Sequence, residues 1–91
     1  MEKAEAIARY EENRNWLSYL QQKRKEHLLK VNNLITKVIE ESESGKLFVD
    51  FDFAEAELEL KLANEAHNQI PIVIRQVNEY AKKSGKPELK N

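Results

Sequence analysis

Along residues 2–42 the apolar side chains return every three or four positions. Written as heptads, Tyr10, Leu17, Arg24, Val31 and Val38 fall at position a, and Ala6, Asn13, Leu20, His27 and Leu34 at position d. Trp16, Leu28 and Ile35 widen the stripe on its flanks, and Asn13, Arg24 and His27 interrupt it in the middle. No Pro or Gly breaks the run, and Ala, Glu, Lys, Arg, Leu and Gln dominate it, so the pattern predicts one long helix over about residues 2–42. At 1.5 Å per residue such a helix is about 60 Å long, more than a compact chain of this size needs. Either the molecule is elongated, or the helix breaks at residues 11–15. Asn13 and Asn15 are weak helix formers there, and either can cap a new helix before Trp16, which gives three helices instead of two.

The pattern changes at residues 43–52. Gly45 can take the left-handed conformation that closes a helix, and Leu47, Val49, Phe51 and Phe53 then alternate with period two. A lone strand has no pairing partner, so this segment reads as the turn of a hairpin. Asp52 and Glu55 stand as N-cap and N3 of a second helix over about residues 53–84. Its apolar arc holds Ala56, Leu60, Ala63, Ala66, Ile70, Val73, Ile74, Val77, Tyr80 and Ala81. Residues 57–62 also alternate strictly and could pair with the turn as strands, but their helix propensity and the continuation through Ala63 and Ala66 favour the helix. Pro71 lacks an N–H and predicts a kink; Lys82, Lys83 and Gly85 form a stop, leaving residues 85–91 as a loose tail.

The expected fold is therefore all-α, a long antiparallel helical hairpin. A turn centred near residue 47 or 48 pairs positions whose numbers sum to roughly 95, setting Leu20 near Ile74 and Val77, Val31 near Ala63, and Val38 near Ala56. Two helices cannot cover a stripe as wide as the second one carries. A third helix folded back, or a second hairpin completing a dimeric four-helix bundle, would cover the remainder, and the dimer is the favoured expectation.

Composition narrows the classes of function. The chain has 91 residues, 41% hydrophobic and 34% charged, with two glycines, two prolines and no cysteine. That describes one helical domain, neither disordered nor all-β, and it excludes disulfides, thiolate metal sites and cysteine nucleophiles. Fifteen basic residues against sixteen acidic ones leave a net charge of -1, which gives no general attraction to nucleic acid or anionic lipid. With no apolar leader or span in view, a cytoplasmic protein without membrane contact is the expectation.

Candidate chemistry is sparse. Ser18, Ser42, Ser44 and Ser84 have no neighbouring base pattern, and no glycine-rich loop is present to hold a phosphate, so neither an enzyme nor a bound cofactor is expected. His27 and His67 come within about a turn of each other across the hairpin, yet neither has Glu three residues before it as in helical metal motifs; no metal is assigned. Lys23, Arg24, Lys25 and Lys30 could meet phosphates, although consecutive helix positions splay around the axis. The remaining candidates are aromatic. Phe48, Phe51 and Phe53, with Trp16 and Tyr19, read as a surface for a protein partner, the three phenylalanines serving either to plug the end of the bundle or to grip that partner. The leading expectation is a small protein-interaction module, a regulator, adaptor, inhibitor or assembly subunit, that forms a homodimer. The alternative is a nucleic-acid-binding accessory protein using residues 23–25.

Overall fold

The computed structural model describes residues 1–90, which form two helices, α1 (Lys3–Glu43) and α2 (Phe53–Ser84), packed antiparallel along most of their length. Among the described residues there is no strand and no third helix, and α1 runs unbroken through residues 11–15. The Asn13 amide donates to the Arg9 carbonyl one turn back, so this weak helix former is tied inside the helix and caps nothing. The result is a rod of 65 × 20 × 15 Å with a radius of gyration of 19.4 Å; a compact chain of this length would have about 12 Å. No described helix is long and apolar enough to cross a membrane.

Local chemistry fixes the ends. The Asp52 carboxylate accepts from the Glu55 amide at 2.9 Å, which satisfies one of the orphan donors of α2. At the other end Gly85 takes the left-handed conformation (φ 74°) and the Lys86 amide reaches the Ala81 carbonyl, a Schellman closure, with Lys82 and Lys83 in the last turn where cations suit the helix dipole. The end of α1 is built otherwise. Its last turn carries no cation and instead holds Glu40, Glu41 and Glu43, beside Gly45 at φ 96°. α2 continues through Pro71, whose missing N–H leaves the His67 carbonyl to water on an exposed surface.

The core occupies the half of the rod away from the turn. Tyr10, Leu17 and Leu20 of α1 interlock with Ala66, Ile70, Val73, Val77 and Ala81 of α2, edged by Ile74, Tyr80 and Leu89. Leu89 belongs to the segment expected from sequence as a loose tail. Its amide donates to the Asn78 side-chain oxygen at 2.7 Å and its carbonyl accepts from the Asn78 amide at 3.1 Å; Tyr10 donates to the Pro87 carbonyl at 3.4 Å and Lys82 pairs with Glu88 at 3.5 Å. Residues 86–90 are therefore a strap over the groove between the helices, because a single asparagine offers one extended residue both the donor and the acceptor its backbone needs. Asn91 lies outside the described residues.

The helices are offset from the register that a tight turn would impose. The cross-helix pairs Arg24–His67, Lys30–Glu59 and His27–Glu59 sum to 91, 89 and 86, against the expected 95 or so. The connector explains the slide. Residues 44–52 do not close at once; Phe48, Val49 and Phe51 share a groove with Ile35 and Val38, so the chain runs back along α1 for about two turns before α2 begins.

Candidate interaction surface

Beside the turn the helices approach through small residues. Val31, Ala56 and Ala63 are the apolar residues buried in this half. Alanines let the helix axes come close but fill little volume, so the large side chains on their flanks stay at the edge. Leu28 and Ile35, seven residues apart on α1, each keep close to half their surface exposed, and Leu60 does the same on α2. Phe53, seven residues before Leu60, is 69% exposed, and Phe48 in the connector is 81% exposed. Heptad spacing keeps Phe53, Leu60, His67 and Ile74 in one line along α2, and the line of Leu28 and Ile35 on α1 runs beside it.

Two grooves join these lines into one face. One, of about 250 Å³, is walled by Arg24 and Leu28 on α1 and by Leu60, Ala63, Asn64 and His67 on α2. The other, of about 580 Å³, lies at the turn between Ile35, Val38, Phe48, Phe51 and Phe53, with Asp50 at its rim. Phe51 packs edge-on against Phe53, ring centroids 4.6 Å apart, and is the half-buried member of the three phenylalanines. Phe48 and Phe53 therefore lie at the surface of the turn and do not seal it. Leu60, assigned from sequence to the core arc, lies on this face instead.

Trp16 and Tyr19 occupy a different place. They stack on each other at 5.2 Å with an interplanar angle of 14°, partly exposed, on the flank of α1 away from the Leu28 line. Lys23 stands 5.6 Å from the centre of the Tyr19 ring. The two aromatic groups of candidates are thus separate patches.

A polar belt divides the two halves of the rod. Glu59 faces the core of the hairpin, 8% exposed, where the His27 Nδ1–H donates to its Oε2 at 2.5 Å and the Lys30 ammonium lies 3.7 Å from Oε1. On the open face Arg24 meets His67 Nδ1 at 3.1 Å. The two histidines therefore take separate partners, and among the described residues no group of three His, Asp or Glu side chains gathers as a metal site. Glu59 was missed in the sequence because the alternating residues 57–62 look like surface. The signal was present: Ala56, Glu59, Ala63, Ala66, Ile70, Val73 and Val77 follow the three-four spacing of a heptad seam, with Glu59 inside it.

The basic run is dispersed. Lys23 pairs with Glu26 at 3.5 Å on one flank, Lys30 with Glu59, Arg24 with His67, and Lys25 lines a shallow groove with Gln21, Leu28 and Asn32. The Gln22 amide, foremost, and the Lys23 ammonium hold the Glu26 carboxyl below its ordinary range. Three of the four cations thus engage groups within the hairpin, and no continuous basic stripe forms.

Chemically, the face joining Leu28, Ile35, Phe53 and Leu60 can exclude water against a complementary surface. It presents no nucleophile and base in hydrogen-bond reach of each other. Comparison with protein-family models, with curated proteins and with solved structures finds no match, so the reading of this surface rests on its own geometry.

Proposed function

We propose that this protein is a non-enzymatic interaction module that docks on another protein surface through the apolar face of its turn half. The observation that carries the reading is the double row of heptad-spaced, exposed Leu28, Ile35, Phe53 and Leu60, continued by Phe48 at the tip. Burying a large apolar side chain is worth roughly 1.5–3 kcal/mol, so leaving five of them in contact with water forfeits more free energy than a small hairpin readily spares. Scattered exposed leucines need no explanation; a contiguous row rimmed by polar residues is the pattern of a docking surface. Pairing with helices of a partner, a second hairpin included, completes a bundle of four.

The test is sedimentation velocity of the labelled chain in extract of its native host. The wild type is expected to sediment well above a lone 10.7 kDa hairpin. Leu28→Gln combined with Leu60→Gln is expected to return it to the monomer while circular dichroism stays helical, because both positions lie outside the core. A wild type that sediments as a monomer refutes the reading.

A further inference from the structure

Resting on that reading, we propose that the occupant of this face is a second copy of the chain, laid antiparallel so that the acidic tip of each hairpin meets the basic middle of the other. Three observations lead there.

The first is layering. Positions whose numbers sum to 86–91 lie at one height along the rod. Leu28 and Leu60 form one such layer, and Ile35 and Phe53 form the next, about 10 Å away at 1.5 Å per residue. A two-fold axis across the rod midway between the layers brings the leucine layer of one copy onto the isoleucine–phenylalanine layer of the other. Branched and aromatic side chains then alternate, as interdigitating cores require.

The second is charge. Residues 40–57 carry seven carboxylates against Lys46 alone, and Lys46 lies 3.9 Å from Glu41. The acidic last turn of α1 also stands at the negative end of its helix dipole. Arg24 and Lys25 lie four and three residues before Leu28 and line grooves beside it. The axis that superposes the layers carries Arg24 and Lys25 to the height of Val38, where Asp50 rims the turn groove. A parallel pairing, tip against tip, sets Asp50 against Asp50 and cation against cation. Like charges across an interface oppose association, so complementarity selects the antiparallel arrangement.

The third is extent and continuity. Leu28, Ile35, Phe48, Phe53 and Leu60, with Ile39 near the tip, are six large apolar side chains left 44–81% exposed, and a standard stable interface takes roughly 800 Å² per partner. At its far end the same face is already covered by the chain itself. Asn78, four residues after Ile74 on this line, holds the strap of residues 86–90. The open stretch is the part of the groove the strap does not reach.

Sedimentation equilibrium of the purified chain tests the arrangement with charge reversals at exposed positions. The wild type is expected to dimerise, with affinity falling about threefold to tenfold as salt rises from low to high, because exposed charge pairs are screened. Asp50→Lys and Lys25→Glu, each alone, are expected to weaken the dimer about tenfold, and the two together in one chain to restore it to within about threefold. A dimer indifferent to either single change, or a double variant as weak as the singles, overturns the antiparallel register. A purified wild type that stays monomeric overturns the second copy as occupant; a heavy complex in extract that Leu28→Gln with Leu60→Gln dissolves would still leave the interaction module standing.

Discussion

The half of the rod away from the turn and the half beside it use the same two helices, and they solve the problem of covering a wide apolar stripe differently. Away from the turn, bulky Tyr10, Leu17 and Leu20 meet Ile70, Val73 and Val77, and a third layer comes from the chain itself, where Leu89 is pinned by Asn78. Beside the turn, the buried apolar residues are Val31, Ala56 and Ala63, and Leu28, Ile35, Phe53 and Leu60 remain at the edge with no strap across them. The difference teaches that two helices alone leave an open flank wherever small residues bring them together, and that a third element is needed to close it. The polar belt of Arg24, His27, Lys30, Glu59 and His67 marks the border.

The sharpest way to break this comparison is to truncate one leucine in each half. Leu20 is buried in the interlocked core, so Leu20→Ala is expected to cost about 3 kcal/mol in denaturant unfolding, through lost transfer and an unfilled cavity. Leu28→Ala, measured in dilute solution where association is weak, is expected to cost less than about 1 kcal/mol, since the methyl groups it removes are already half in water. Equal losses would mean that the two halves are packed alike.

The border itself is the next target. His27→Ala leaves the Glu59 carboxylate, 8% exposed, with only the Lys30 ammonium at 3.7 Å, and is expected to destabilise the hairpin by about 2 kcal/mol. Replacing both partners, His27→Leu with Glu59→Leu, removes the buried charge together with its donor and is expected to recover most of that loss or exceed it. Thermal unfolding of the two variants side by side checks the sign. A double variant as weak as the single would show that the belt contributes more than its own desolvation costs.

How much of this was legible in the sequence follows from how local each cause is. Asp52 and Gly85 act within one helical turn of themselves, and their roles as start and stop can be read from the residues alone. The two-helix architecture was legible because heptad spacing persists over dozens of residues. The register was not, because it is set by where residues 44–52 run, and the seating of Phe51 beside Ile35 and Val38 is a packing choice between distant segments. Leu60 leaves its expected place in the core for a different reason: adjacent residues on a helix differ by about 100° in direction, so the seam that runs through Ala56, Glu59 and Ala63 turns Glu59 toward α1 and Leu60 to the edge. The strap escaped notice because a polar tail after a helix stop carries no sign that Asn78 waits eleven residues back.

The strap gives a milder test of why the far half is closed. Asn78→Ala removes both hydrogen bonds to Leu89 and is expected to cost about 1 kcal/mol, with faster hydrogen exchange at the Leu89 amide and little change at amides flanking Val31. If Leu89 stays protected, its packing against the core cluster holds the strap without the asparagine, and the far half closes by burial alone.

The smallest expected effect lies on the surface of the belt, and it sharpens the contrast between its buried and exposed charges. The Glu26 side chain is 45% exposed, and its carboxyl is held below the ordinary range first by the Gln22 amide at 3.4 Å and then by Lys23 at 3.5 Å. A carboxylate whose folded value is depressed contributes stability that is present above its unfolded value and is lost as pH falls through the folded one. Gln22→Ala removes the larger cause, so the Glu26 titration followed by carbon-detected NMR is expected to move up toward the ordinary carboxylate range. The melting temperature near neutral pH is expected to stay unchanged, because solvent screens a pair this exposed. A clear drop in melting temperature would place Glu26 with Glu59 among the charges that hold the helices together, and the belt would then act through its rim as well as through its buried centre.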